Sequence, residues 1–391
     1  MFENECEELG RQGLLRMLRR IDSSQGPSVI LEGREVVLLC SNNYLGLAEH
    51  PRLRQAAQDA IERYGFGSGA SRLISGTMSL HEELEARIAR FKGTEAAIHF
   101  NSGYAANTGV IPSLAGERDA LFSDSLNHAS IIDGCRLSKA RTFVYRHNDM
   151  SHLEDLLRVW NGQGRRAIVT DGVFSMDGDL APLPELVSLA EKYNALVMVD
   201  DAHGTGVYGL RGRGTVEHFG LQERIPVQMG TLGKALGSFG AYVAGDHGLI
   251  RYLLNSARSY MFSTSLPPAV CAASMAAIEL VDTEPWRRER LWQVRERFVT
   301  GLARRGVAVP GSPSPIIPVP VGDADKAVAA ADRLFQEGIF APAIRPPTVP
   351  PGTSRIRATV MASHNDSQID QAIDVFGKLA DEGFFRKARH G

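Results

Sequence analysis

Apolar residues recur along the chain with two different periods. Short runs of aliphatic and β-branched residues, bounded by Gly, Asn and Asp, fall at 95–100, 119–123, 142–146, 166–170, 195–200, 227–230 and 240–244. Each is long enough for a strand and too short for a helix. Most are separated by amphipathic stretches of helical length, at 104–115, 130–138, 150–160 and 184–193. This alternation predicts an α/β fold whose mostly parallel seven-stranded sheet is covered by helices on both faces. Sheets of this kind bind ligands at the C-terminal ends of their strands.

The flanking segments read differently. Leu9–Ile21 has the pattern of a basic amphipathic helix, with Leu14, Leu15, Leu18 and Ile21 on one side. Val29–Leu31 and Val36–Cys40 form an expected hairpin, and the turn cluster Ser41–Leu47 ends this arm. A helix is expected at Arg52–Tyr64, with Leu53, Ala57, Ile61 and Tyr64 on one face. Ser79-Leu-His-Glu82 reads as a capping box opening a helix that turns Leu80, Leu84, Ile88 and Phe91 inward. Two helices follow the sheet, at about 247–258 and 268–281, then a long one over Pro285–Arg305. Beyond Pro310 the pattern becomes α+β: strand 316–321, helix 325–337, strand 339–344, strand 354–360 and helix 366–382, with a frayed tail at Arg386–Gly391. The expected organisation is an N-terminal arm (1–47), a large domain (48–284) and a small C-terminal domain (285–391).

A net charge of −2 gives no reason to expect a nucleic-acid or membrane-surface partner. No apolar run approaches the roughly 20 residues of a membrane span. The acidic N-terminus lacks the apolar core of a signal peptide. Cys6, Cys40, Cys135 and Cys271 are far apart, without a C-x-x-C, and read as buried, reduced thiols of a cytoplasmic protein. No metal centre is expected.

Candidate chemistry gathers at the predicted C-terminal strand ends. Met229–Gly237, M-G-T-L-G-K-A-L-G, holds Lys234 on a tight turn after a strand. A lysine so placed can lose its proton in a cleft and condense with a carbonyl. The strand Ala195–Asp200 ends in a carboxylate and is followed by His203. A buried aspartate requires a cation or a donor, and a pyridinium nitrogen is such a partner. Gly103 begins a helix after a strand, where backbone amides suit a phosphate. Gly204-Thr-Gly-Val-Tyr-Gly209 matches a dinucleotide fingerprint, but no helix begins inside it, which rejects a nicotinamide reading. Asp200, His203, Lys234 and the Gly103 turn together suit pyridoxal 5′-phosphate (PLP).

Several motifs resemble the α-oxoamine synthases, a PLP-dependent branch of the aspartate-aminotransferase fold (fold type I). They are Ser41-Asn-Asn-Tyr-Leu-Gly-Leu47, Leu126-Asn-His-Ala-Ser130, Val173-Phe-Ser-Met-Asp-Gly-Asp179, Val199-Asp-Asp-Ala-His-Gly-Thr-Gly206 and Thr231-Leu-Gly-Lys-Ala235. The resemblance implies that Lys234 is the Schiff-base lysine and proton shuttle. It implies that Asp200 pairs with the pyridine nitrogen, His203 meets the ring hydroxyl and His128 stacks on the ring. Gly103, Tyr104, Ser175 and Thr231 would hold cofactor oxygens. Ser263 and Thr264 would reach the phosphate of a second subunit, which makes a homodimer the expected assembly. Asn42 and Arg357 would hold the amino-acid carboxylate, and Arg19, Arg345 and Thr348 the acyl substrate.

The run Arg345-Pro-Pro-Thr348 resembles the members that condense L-alanine with a pimeloyl thioester, carried on CoA or on acyl-carrier protein, in biotin synthesis. Ser125–Gly134 also resembles the members that acylate glycine from acetyl-CoA. The usual cysteine-glycine-threonine run of those members is Ser75-Gly76-Thr77 here. A catalytically silent partner subunit is a further alternative, against which the intact Lys234 argues.

Overall fold

The computed structural model describes residues 2–12 and 14–386. The chain forms two compact units, one spanning 42–292 and the other combining the N-terminal 41 residues with 293–391. The boundary falls inside the long helix Trp286–Arg304. The N-terminal arm shares a unit with the C-terminal segment.

The larger unit is built on seven strands: β3 (Ala96–Phe100), β4 (Ala120–Asp124), β5 (Arg141–Tyr145), β6 (Arg166–Asp171), β7 (Ala195–Asp200), β8 (Val227–Thr231) and β9 (Ala241–Gly245). The smaller unit's hairpin supplies β1 (Ser28–Leu31) and β2 (Arg34–Leu38). The seven lie in the order β3-β9-β8-β7-β6-β4-β5, and only β9 runs against its neighbours. Successive residues of a strand point to opposite faces. Leu121, Val169 and Met198 therefore enter one core with Val110 and Ile131 of the helices. Phe122, Ile168, Val197 and Val199 enter the other with Leu153, Leu157, Leu186 and Val187. Burying each such side chain contributes about 1.5–3 kcal/mol. Two buried faces explain why these strands read as continuous apolar runs.

Among its described residues the smaller unit holds two three-stranded sheets. In one, β1 and β2 pair antiparallel and β11 (Ile339–Phe340) adds parallel to β2. In the other, β13 (Ser354–Thr359) pairs antiparallel with β10 (Ile316–Gly322) and β12 (Ala343–Ile344). The strand expected at 339–344 is thus two short strands, divided at Ala341-Pro342 and given to different sheets. A proline cannot donate to a continuous ladder.

The helix expected over Leu9–Ile21 is not formed. The helix is Phe2–Arg11, and Leu14–Arg20 has no regular structure; Gly13 lies outside the described residues. Residues 20–22 use their backbone against β1 instead: Asp22 donates to Ile30, Glu32 donates to Arg20, and Ile21 bridges Leu31. Of the leucines that suggested a buried stripe, Leu14 is half-buried, Leu15 is exposed and Leu18 is fully exposed.

Three smaller expectations change. In the helix Pro51–Tyr64, Leu53 and Ala60 are buried while Ile61 is exposed, so the inward face is turned from the expected one. Ser79 lies inside its helix, and the N-cap is Met78, whose N–H donates to Nδ1 of His81 at 2.9 Å. All four cysteines are unpaired; Cys135 and Cys271 are buried, Cys40 is half-buried, and Cys6 is exposed. Of the expected frayed tail only Arg386 is among the described residues.

Candidate active site

Adjacent strands β8, β7, β6 and β4 end on one rim of the large sheet, and the chain leaving each supplies part of a cleft of about 330 Å³. Strand β4 leads to His128, β6 ends in Asp171, β7 ends in Asp200 and leads to His203, and β8 ends in Thr231 and leads to Lys234. The helix Gly103–Leu114 points its N-terminus at the same cleft, with Ser102, Gly103 and Tyr104 in the wall. Seven sequence-predicted residues are therefore brought together: Gly103, Tyr104, His128, Asp200, His203, Thr231 and Lys234.

Asp200 is buried and held at both oxygens. Oδ1 accepts from the Ala202 N–H at 3.0 Å, and Oδ2 accepts from Asn107 Nδ2 at 2.7 Å. His203 Nδ1 lies 2.7 Å from the hydroxyl of the fully buried Tyr44, which also donates to Asn42 Oδ1 at 3.3 Å. Asn42 is thereby tied to His203 through one side chain. The Thr231 hydroxyl donates to the Ala202 carbonyl at 3.3 Å. His128 caps the helix Ala129–Leu137, and its own N–H donates to Asp171 Oδ2 at 2.7 Å. Its ring is open to the cleft on one side. The protein packed around it still lowers its pKa, with Asp200 opposing and Lys234 adding to that shift. Asp171 is driven well above the ordinary carboxylate range by burial and by the carboxylate of Asp200 beside it.

The turn carrying Lys234 is fixed by contact. Gly237 has φ +64°, and a Cβ there would lie 2.4 Å from the Ala48 nitrogen. The cleft has the donor set that PLP requires: a lysine amine for the aldehyde, a buried carboxylate for the ring nitrogen, and first-turn N–H groups without intrahelical acceptors for the phosphate. It also has the room. A Cβ on Gly103 would meet Thr231 Cγ2 at 3.0 Å and Met229 Cε at 3.1 Å, so glycine keeps that wall open.

Other predicted residues lie elsewhere. Ser175 sits at the tip of the loop between the bridged Val173 and Leu180 and does not line the cleft. Ser263 and Thr264 also lie outside the cleft lining. Thr264 bridges Ser71 of the glycine-rich loop, and its carbonyl accepts from Asn101 at 2.8 Å. The Tyr104 hydroxyl is committed to Asp133. Arg19, Arg345, Thr348 and Arg357 belong to the smaller unit. There Arg19 is extended chain rather than helix; it pairs with Glu32 at 2.7 Å and stacks on Phe335 at 3.9 Å. Arg345 donates to the Leu15 carbonyl at 3.4 Å, Thr348 is exposed, and Arg357 is buried on β13.

Sequence reasoning missed Tyr44, Asn107, Ser130 and Asp171. Asp171 carries the same signal as Asp200, an acidic residue closing an apolar strand. Tyr44 and Ser130 stand in the motifs that carry the resemblance, and Asn107 in the helix that Gly103 begins. Their parts rest on contacts with residues apart in the chain, Tyr44 with His203, Asn107 with Asp200 and Ser130 with Asn107, which no spacing reveals.

The chain matches the family model for class I and II aminotransferases over residues 34–376. It is 58% identical over 380 residues to the 8-amino-7-oxononanoate synthase of Geobacter sulfurreducens, covering 97% of each chain. It is 52% identical over 379 residues to that of Symbiobacterium thermophilum, again covering 97% of each. Among solved structures it resembles the serine palmitoyltransferase of Sphingomonas wittichii, with TM-score 0.93, 33% identity and 98% of each chain covered. A serine palmitoyltransferase variant from S. paucimobilis with PLP bound matches with TM-score 0.93, 32% identity and 97% of each chain covered. The 8-amino-7-oxononanoate synthase of Francisella tularensis matches with TM-score 0.77, 28% identity, and 90% of this chain and 99% of that one covered. A PLP-type cleft on a fold type I sheet and these full-length likenesses agree, and the chain belongs to the class I and II aminotransferase family, in its PLP-dependent α-oxoamine synthase branch.

Proposed function

We propose that the protein condenses L-alanine with a pimeloyl thioester, giving 8-amino-7-oxononanoate, CO2 and the free thiol, as a cytoplasmic homodimer serving biotin synthesis. The gathering of Lys234, Asp200, His203 and His128 on one rim supports the chemistry. The full-length relatives named 8-amino-7-oxononanoate synthase support the substrates.

When bound, PLP supplies the electron sink for the charge that develops at the substrate carbon. The protein does the rest. The Lys234 amine takes the Cα proton of alanine and later returns a proton to the product. Asp200 would hold a proton on the ring nitrogen, His203 would meet the ring hydroxyl, and His128 would stack on the ring and offer a hydrogen bond to the thioester oxygen. Such acid–base groups typically contribute ~10²–10⁴-fold each. The Cα–C bond to the acyl carbonyl forms as the C–S bond breaks, and the alanine carboxylate leaves as CO2. Gly103 and Thr231 in the cleft wall would hold cofactor oxygens, as would Tyr104 through its backbone N–H; Ser175 lies outside that lining, and Ser263 and Thr264 would serve the site of a second subunit. Asn42 and Arg357 hold the alanine carboxylate, and Arg19, Arg345 and Thr348 the acyl chain.

Among the described residues no helix is long and apolar enough to cross a membrane. The deciding experiment measures thiol release from alanine with pimeloyl-CoA and pimeloyl-acyl-carrier protein, against glycine with acetyl-CoA. Faster turnover of the glycine pair would replace this substrate assignment with that of a glycine acyltransferase.

A further inference from the structure

Asn107 lies one turn into the helix Gly103–Leu114 and is fully buried. Its amide nitrogen donates twice, to Asp200 Oδ2 at 2.7 Å and to Ser130 Oγ at 2.8 Å. Its carbonyl oxygen is buried and meets no hydrogen-bond partner. An unpaired buried acceptor is destabilising, because it has given up its water without replacing it. The amide nevertheless cannot turn over, because that would set its oxygen against the carboxylate of Asp200. The carboxylate therefore dictates which way Asn107 points.

The direction passes on. Ser130 Oγ accepts from Asn107, which leaves its own proton for another acceptor, and His128 Nδ1 lies 2.8 Å away. The Ser130 backbone N–H donates to the same nitrogen at 3.3 Å. We infer that Asn107 and Ser130 are positioning residues, forming a one-way relay from Asp200 that makes His128 Nδ1 an acceptor and keeps the ring proton on Nε2. The neutral state favoured by the packing around the imidazole agrees with this. The relay ties the residue under the ring nitrogen to the residue over the ring face, and so rests on the reading that both meet the cofactor. It gives the unpaired carbonyl of Asn107 a reason to persist: the residue is kept for its two buried donors, which outweigh one unpaired acceptor.

The test reads the imidazole directly, in apoprotein labelled with ¹⁵N-histidine, with the His128 signal assigned from a His128→Asn variant. The native protein should show the Nε2–H tautomer, and Ser130→Ala should give a mixture of the two tautomers. Asn107→Leu keeps the volume and removes the unpaired oxygen. Its melting temperature should fall, because the buried Asp200 Oδ2 loses its amide donor, while the tautomer preference weakens and the PLP dissociation constant rises about tenfold or more. An Nδ1–H tautomer in the native protein, or an unchanged tautomer in both variants, would overturn the relay. Should Asn107→Leu fail to fold, Ser130→Ala still decides. None of these readouts needs turnover, so a fixed tautomer in a protein that does not condense alanine upholds the relay and overturns only the proposed reaction.

Discussion

Asp171 and Asp200 stand side by side, in register at the ends of adjacent parallel strands, both buried and both lining the same cleft. Two carboxylates so placed cannot both ionise cheaply. Burial and the neighbouring Asp200 raise the pKa of Asp171, so the folded protein keeps a proton there that the unfolded chain releases above about pH 4. The contribution of Asp171 to native stability therefore falls as pH rises past that point. Asp171→Asn keeps an acceptor for the His128 N–H and removes the ionisation. Its melting temperature relative to the native protein should climb steadily from about pH 4 to neutral. A difference independent of pH would show that Asp171 is ionised in the native state.

His147 sits between Asp124 at 3.0 Å and Asp179 at 2.8 Å. Burial works against its charge, but the two carboxylates outweigh burial and raise its pKa to about 10. The stability this supplies is complete below the unfolded pKa of about 6.5 and is lost as pH rises through about 10. Denaturant titrations of the native protein should show stability declining across that window, and His147→Gln should flatten the decline.

Borohydride reduction of the PLP-loaded protein should fix cofactor on the peptide containing Lys234. Mass spectrometry locating the label on another lysine would remove Lys234 from its role. Lys234→Ala should lose the visible absorbance of the bound cofactor and nearly all thiol release, while its far-ultraviolet circular dichroism stays native.

Lys92 is buried beside Asp201, with Nζ 3.8 Å from Oδ2 and also donating to the Arg213 carbonyl. Asp201 accepts twice from Thr215, at the end of the loop that carries His203. Removing one member of such a pair strands the other charge, at about 3–5 kcal/mol. Lys92→Met should lose that much stability by urea titration. Lys92→Met combined with Asp201→Asn should recover part of it, and additive losses would deny the coupling.

The sheet was legible because its strands are buried on both faces: Ala195–Asp200 reads as apolar without reference to any neighbour, and ends in a charge that needs a reason. The N-terminal helix was misread for the converse reason. Leu14, Leu15 and Leu18 keep helical spacing, but Arg20–Asp22 found backbone partners on β1, and periodicity carries no information about a competing strand. The split of 339–344 had a visible cause in Pro342. Lys234, Asp200, His203 and His128 were findable because each follows a strand end. Tyr44 and Asn107 were not, since Tyr44 reaches His203 from 159 positions away and Asn107 reaches Asp200 from 93.

The close approach of Gly237 to Leu47 and Ala48 bears on how the enzyme comes to life. The reactive amine takes its bearings from a stretch nearly two hundred positions upstream, so it cannot be correctly aimed until both ends of that span have met. During refolding, the colour of captured PLP should trail the appearance of secondary structure, and a bulkier residue at position 237 should lengthen the lag.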